Sequence, residues 1–467
     1  MTLDEALLLL EDLGAAGRPI AGGTDLILEL ARGARPGVEE LVDLTRIPGL
    51  DVIVDVGEAI ELGPLVTHNQ VVGSPLLVEH ALPLAQACLE VGSPPLRNRA
   101  TVAGNVVTAS PANDTISALL ALGATVVLHS ARGVRSLPVD EFIVGLRATV
   151  LEPGELLTAI RVPKVTPPDR AVFVKLGNRS AQAISVVHAA VALTLDGDRV
   201  QAARIALGSV APVVVRIDEA EAALVGRPLA ETSIAAAAQV AADAVQPIDD
   251  VRATARYRSQ VTAVVVRRAL DALRTGAERS RWPARTPLLA GQGGGGRLAT
   301  TATHRAGDMV EAVVNGETRR AGNATGRTLL DWLRWEASAA GETRLTGSKE
   351  GCAEGECGAC TVHLDDAAVL ACLVPAARAH GARITTIEGL AGEGELHPLQ
   401  AAYVEQGAVQ CGFCIPGFLM TGAKLLEECP QPAVDDVRLA LSGNLCRCTG
   451  YYTMFEAFER MSGSERP

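Results

Sequence analysis

Residues 350–372 read EGCAEGECGACTVHLDDAAVLAC and place Cys352, Cys357, Cys360 and Cys372 in one compact run. A second set of four follows, with Cys411 and Cys414 in VQCGFCIPGFLM (409–420) and Cys446 and Cys448 in SGNLCRCTGYY (442–452). Of the 10 cysteines in the chain, only Cys88 and Cys429 lie outside these two tetrads. Four thiolates are what a [2Fe–2S] centre requires, and C-x4-C-x2-C with a distant fourth cysteine is one of its characteristic ligand spacings. The pattern therefore predicts two such clusters.

Four-thiolate sites also bind structural zinc, and C-x2-C pairs are common in zinc ribbons. Two features weigh against zinc. Gly351, Gly355 and Gly358 are interleaved with the first three cysteines, and glycine lets a backbone wrap tightly and aim N–H groups at an anionic centre. The single-residue spacing of Cys446 and Cys448 is also unusual for zinc.

Working outward, 467 residues suffice for about three domains, each with its own core. Hydrophobic residues make up 48% of the chain but aromatics only 3%, so those cores are aliphatic. A net charge of −12 argues against nucleic acid as a partner. The opening MTLDEALLLLEDLGAAG has no basic n-region and carries acids among its leucines, so neither a signal peptide nor a membrane span is expected. A cytoplasmic location, where thiols stay reduced, is the expectation.

Residues 1–17 read as a helix with a Thr2/Glu5 capping box. A short strand at 18–21 runs into Gly22-Gly23 and a helix that Thr24 or Asp25 could cap. Such a strand, glycine turn and helix start offer free N–H groups to an anion such as a pyrophosphate, although AGGTD is also an ordinary turn. Short strands follow at 41–66 and a helix at 75–91, then a loop rich in small and hydroxyl residues with Thr101, Gly104, Asn105, Ser110, Asn113 and Asp114. Alternating apolar runs from 170 to 208 predict an antiparallel sheet, and Ala-rich segments at 219–224, 233–244 and 254–274 predict helices. His188, inside SVVHAAV, reads as a core or interface histidine rather than a ligand. Pro283, Pro287 and GQGGGG mark 281–307 as a linker. Beyond it come a hairpin at 308–320 turning at Asn315-Gly316, a helix at 328–340, and helices near 397–406, 415–428, 433–442 and 451–460.

On these motifs the chain resembles the electron-transfer parts of the molybdenum hydroxylases, the xanthine dehydrogenase family that includes carbon monoxide dehydrogenase and aldehyde oxidoreductases. The resemblance implies an α+β multidomain chain. It comprises an FAD-binding domain (1–165) of the xanthine dehydrogenase medium-subunit type, a flavoprotein C-terminal domain (166–280), the linker (281–307), a plant-type ferredoxin β-grasp domain (308–385) and an all-α four-helix [2Fe–2S] domain (386–462). It implies FAD contacts from Pro19, Ile20, Ala21, Gly22, Gly23, Thr24, Asp25 and Leu26, and from Thr101, Val102, Ala103, Gly104 and Asn105. Asp114, Lys175, Val91 and Leu157 match further flavin contacts. The eight tetrad cysteines match the ligands of two [2Fe–2S] clusters, and Gln410 matches a glutamine lying toward a partner's pterin.

Ala103 stands where the family commonly has glycine, Ile415 where it has threonine, and the flavin part precedes the iron–sulfur part, which reads as a fusion of two subunits. Nothing resembles the molybdopterin domain. The resemblance thus implies an electron-transfer oxidoreductase subunit, with the molybdopterin cofactor and substrate site on a larger partner chain. NAD+ or another acceptor would take the electrons, and the complex would be a dimer of heterodimers. A self-contained flavin and iron–sulfur reductase, or a zinc-binding structural protein, are the alternatives.

Overall fold

The computed structural model describes residues 1–291, 302–338, 344–392 and 394–461. The chain divides into two compact units. The first comprises Met1–Gly22, Gly37–Val91 and Ala100–Ala284, and the second takes Gly23–Pro36, Gly92–Arg99 and the chain from Arg285 onward.

In the first unit the expected opening helix runs Leu3–Leu13, with Thr2 Oγ1 accepting from the Glu5 N–H and the Glu5 carboxylate accepting from the Thr2 N–H. Strand Gly17–Ile20 pairs in parallel with Glu40–Asp43. A five-stranded antiparallel sheet is ordered Ile53–Asp55, Ala59–Leu62, Leu156–Pro163, Thr125–Ser130, Gly133–Pro138. The helix expected at 75–91 is instead two, Pro75–His80 and Leu82–Leu89. Pro83 explains the break, because its ring restrains the preceding residues and it has no N–H to continue the first helix.

The remainder of this unit is a four-stranded antiparallel sheet, Asp169–Gly177, Ser185–Asp196, Arg199–Gly208 and Val215–Arg216, as the alternation predicted. Helices Glu231–Ala244 and Ala255–Thr275 cover it. Val265, Val266, Ala269, Leu270 and Leu273, at helical spacing, meet Val187, Val191, Ile205 and Leu207 from the sheet.

The second unit contains a five-stranded mixed sheet in the order Glu317–Ala321, Val310–Val314, Arg383–Thr385, Thr361–Leu364, Ala367–Leu370. Its central pair, Val310–Val314 and Arg383–Thr385, is parallel. The predicted hairpin turn is present, with φ of 53° at Asn315 and 84° at Gly316, the left-handed pair that two-residue hairpins need. Helix Leu329–Trp335 is shorter than the expected 328–340, and positions 339–340 lie outside the described residues. It buries Leu329, Trp332 and Leu333 against Val310, Val362 and Ile384. Four helices follow at Pro398–Glu405, Ile415–Glu428, Val434–Ala440 and Tyr452–Met461, close to the predicted spans. They share a core of Leu399, Tyr403, Phe418, Leu425, Met454 and Phe458.

Three stretches depart from the expected boundaries by joining this second unit. Leu28 and Leu96 pack on the core of its sheet, and Asn98 Nδ2 donates to the carbonyls of Leu289 and Ala368, each at 3.0 Å. Leu289, expected in the linker, is fully buried, and its N–H donates to Glu428. Positions 292–301, which hold most of the glycine run, lie outside the described residues.

His188 is buried on strand Ser185–Asp196 as expected, and burial, aided by the nearby Lys175 charge, lowers its pKa from 6.5 to about 4. A histidine kept neutral by the fold contributes full stability above its unfolded pKa, and that contribution is lost as pH falls from 6.5 toward 4. The loss amounts to about 3 kcal/mol. Denaturant unfolding of the full chain at pH 7 and pH 4.5 should therefore show a smaller pH-dependent loss in His188→Gln than in the wild type; equal losses would contradict the assignment.

Candidate cluster and flavin sites

The first tetrad sits on the loop before strand Thr361–Leu364 and on the 3-10 turn Ala371–Leu373 after its hairpin partner. Left-handed φ values at Gly355 (78°) and Gly358 (71°) curl the loop. A Cβ at Gly351 would lie 2.6 Å from Cys357 Sγ, and one at Gly355 would lie 2.2 Å from Leu373 Cδ1, so close packing as well as turn geometry requires glycine there. The N–H groups of Glu354 and Glu356 donate to Cys352 Sγ at 3.4 and 3.2 Å. These bonds, after a larger effect from the Cys357 thiol, lower the Cys352 pKa to about 5. The thiols approach in pairs, Cys352 with Cys357 and Cys360 with Cys372. Within each pair one thiol is pushed down and its partner up, because the two share a single proton.

The second tetrad is carried by helix ends. Cys414 is the N-cap residue of Ile415–Glu428, while Cys446 and Cys448 lie between the turn Leu441–Gly443 and helix Tyr452–Met461. Pairing recurs: Cys414 with Cys446, and Cys411 with Cys448. Burial first, and the Cys446 thiol second, push Cys414 up to about 12, so for this thiol desolvation outweighs the positive helix end. Thr449 Oγ1 donates to Cys446 Sγ at 3.1 Å, and the Cys446 N–H donates to the Tyr451 hydroxyl at 3.0 Å. Cys411 and Gln410 are exposed, as are Val409 and Phe413.

Among the described residues, no three Cys, His, Asp or Glu side chains converge as they would around a single ion. Two pairs of thiols per tetrad suit a binuclear centre with two sulfur ligands on each metal. Neither remaining cysteine joins a tetrad. Cys88 is buried in helix Leu82–Leu89 beside His68 Nδ1 at 3.2 Å, and Cys429 closes helix Ile415–Glu428, where Arg285 donates to it.

Of the first glycine loop, Pro19, Ile20, Ala21 and Gly22 end the strand in the first unit, while Gly23 (φ 79°), Thr24, Asp25 and Leu26 group with the second. Asp25 occupies the N-cap position of helix Leu26–Ala31, yet its side chain does not cap it, contrary to expectation. In the second loop Thr101 caps helix Val102–Thr108, its Oγ1 accepting from the Gly104 N–H at 3.0 Å. Val102 and Ala103 are buried while Gly104 is exposed, and a Cβ on Gly104 would come 2.9 Å from Thr101 Oγ1. Ala103 is thus a packed helical residue whose backbone does not need glycine. Asn105 is anchored by Thr115 Oγ1 at 2.5 Å and by Asn113 Nδ2, which donates to its carbonyl at 2.7 Å.

Asp114 and Lys175, 61 positions apart, form a buried ion pair at 2.6 Å, with 7% and 4% of their side chains exposed. Lys175 Nζ also donates to the Glu90 carbonyl at 3.0 Å, next to half-buried Val91, and Ser185 Oγ donates to Asp114. Ser117 Oγ meets His188 Nδ1 at 2.8 Å. Leu157 is buried on the central strand Leu156–Pro163. Ser185, Ser117 and Glu90 carried no local signal, since each gains its role only from a neighbouring element.

Comparison with known proteins assigns this architecture. The family described as "FAD binding domain in molybdopterin dehydrogenase" matches residues 1–165, "CO dehydrogenase flavoprotein C-terminal domain" matches 172–273, and "[2Fe-2S] binding domain" matches 386–459. The carbon monoxide dehydrogenase medium chain of Hydrogenophaga pseudoflava is 32% identical over 272 residues, covering 58% of this chain and 94% of that protein. The chain belongs to the molybdenum hydroxylase family. The nicotine 6-hydroxylase small subunit of Paenarthrobacter nicotinovorans is 48% identical over 148 residues, covering 32% of this chain and 86% of that protein. Among solved structures, carbon monoxide dehydrogenase from H. pseudoflava aligns with a TM-score of 0.56 at 33% identity, covering 58% of this chain and 94% of that one. Quinoline 2-oxidoreductase from Pseudomonas putida 86 also aligns at 0.56, at 29% identity, covering 59% and 95%. FAD-binding and [2Fe–2S] domains, and the role of an oxidoreductase subunit, follow from this membership. Among the described residues no helix is long and apolar enough to cross a membrane.

Replacing Lys175 by Met would strand the Asp114 carboxylate in the interior, at a cost of about 3–5 kcal/mol. Chemical unfolding should show that loss in the single variant and recovery of much of it in the Lys175→Met/Asp114→Asn double variant.

Proposed function

We propose that this chain is the FAD- and iron–sulfur-carrying electron-transfer subunit of a molybdenum hydroxylase, with medium and small subunits fused into one polypeptide. The match of one part to a medium chain and of another to a small subunit supports the fusion. Residues 1–165 would form the FAD-binding domain of the medium-subunit type. Residues 308–385 would form a plant-type ferredoxin β-grasp domain, and 386–462 the four-helix [2Fe–2S] domain. When bound, the clusters would carry electrons one at a time from a molybdopterin-bearing partner subunit, and FAD would collect two of them for NAD+ or another acceptor. The setting is cytoplasmic, and the complex a dimer of heterodimers.

The observation that carries this reading is the pairwise gathering of the eight thiols. Cys352, Cys357, Cys360 and Cys372 would hold one cluster; Cys411, Cys414, Cys446 and Cys448 would hold the other. The chain's part is to shield the sulfurs, to direct N–H and O–H groups at them, and to keep each pair spaced for two metals. The exposed face around Gln410, Cys411 and Phe413 is where the molybdopterin-bearing subunit would dock. For the flavin, the exposed Gly104 backbone, with Asn105 beside it, would face the pyrophosphate, while the Asp114–Lys175 pair holds the supporting elements in place.

Purified chain should carry about four iron atoms and two separable EPR signals; stoichiometric zinc would refute the cluster reading. Gly104→Val should lose FAD while keeping its iron content. Substrate-dependent bleaching of the clusters should require the molybdopterin-bearing subunit.

A further inference from the structure

The two cysteine-bearing loops of the second unit are joined by a junction made of backbone groups and one amide side chain, with no thiol taking part. The Leu445 N–H donates to the Cys357 carbonyl at 3.0 Å, and Leu445 directly precedes Cys446. One hydrogen bond and one peptide therefore separate a residue of the first tetrad from a residue of the second. Beside this bond, Asn444 Nδ2 donates to the Gly358 carbonyl at 3.3 Å. That carbonyl also accepts from the Thr361 N–H at 3.1 Å and from Thr361 Oγ1 at 2.7 Å. Asn444 is 3% exposed, and its Oδ1 is buried without a hydrogen-bond partner. A buried amide left half-satisfied is unfavourable on its own account, so its place is set by what its other half holds.

Sterics make the junction tighter still. A Cβ on Gly358 would lie 2.5 Å from Asn444 Nδ2 and 2.6 Å from the Gly443 carbonyl. A Cβ on Gly417, in the first turn of the helix that Cys414 caps, would lie 2.2 Å from the Gly358 carbonyl oxygen and 3.1 Å from Ala359 Cα. Apart from the Asn444 amide, these are backbone atoms that cannot swing aside. Gly358 is required both by its left-handed φ and by the other loop, whereas Gly417, with no left-handed φ, is required by the other loop alone.

We infer that Gly358, Gly417 and Asn444 are positioning residues that clamp the two tetrads at a fixed separation, with the Leu445 N–H to Cys357 carbonyl bond as the through-bond link between them. This rests on the two-cluster reading above. Electron tunnelling weakens steeply with distance and favours bonded routes over gaps. In the transfer concerned one tetrad's centre loses an electron and the other gains it, with no bond broken and no proton moved.

The test is EPR of the reduced full-length chain, in which two nearby paramagnetic centres split or broaden each other's signals by an amount that falls with the cube of their separation. In Gly417→Ala and in Asn444→Ala, iron content should stay at the wild-type level while the mutual splitting shrinks. Gly422→Ala is the control, since its Cβ would press on Leu399 and Phe458 in the helical core, away from the junction; it should keep the wild-type splitting. If Gly417→Ala fails to retain both clusters, Asn444→Ala decides, because it removes atoms and adds none. Wild-type splitting in both junction variants, or an equal loss in Gly422→Ala, would overturn the clamp while leaving the cluster assignment standing. A wild-type chain with zinc and no iron–sulfur signal would overturn the assignment itself, and the clamp with it.

Discussion

Thiols gathered in close pairs form crowded groups that resist ionising together, and the second unit is built to tolerate that crowding. Ionised sulfurs repel, and burial raises the cost of their charge, so each tetrad needs donors aimed at it and a backbone that can come close. The first tetrad meets the need with a glycine-curled loop whose Glu354 and Glu356 N–H groups face Cys352. The second uses helix ends and a hydroxyl, Thr449 on Cys446. Two different local structures thus reach the same arrangement of two sulfur pairs. The sheet and the helix bundle are the frames that hold these loops.

The first unit faces a different constraint, a charge pair in a dry interior. Asp114 and Lys175 are nearly inaccessible, and each satisfies the other while Ser185 and the Glu90 carbonyl take up remaining hydrogen-bonding capacity. A pair of this kind adds little net stability compared with apolar packing, but it is costly to break. It ties a helix start, a strand and the end of another helix together beneath the second glycine loop. The neighbouring His188 is held neutral by burial, so it adds no charge beside the compensated Asp114–Lys175 pair.

Much of this was legible in advance because it is written in local pattern. The Thr2/Glu5 capping box, the Asn315-Gly316 turn, the alternating strands between 170 and 208 and the four helices after 397 all appear where the periodicity placed them. The misplaced features have local causes too. A proline at 83 split one expected helix, and the Asp25 side chain did not take the cap its position offers. The segments Gly23–Pro36 and Gly92–Arg99 were illegible as members of the second unit, because Leu28, Leu96 and Asn98 find their partners hundreds of positions away.

Cysteine spacing by itself grouped eight thiols into two sets of four, since thiol is scarce and its ligand spacings are restrictive. Only the tertiary structure decided how the thiols pair, that Lys175 answers Asp114, and that Gly417 must be glycine because a carbonyl from another loop lies against it. Those facts depend on distances between elements remote in sequence. Such distances are set by the packing of whole cores, so no local pattern encodes them.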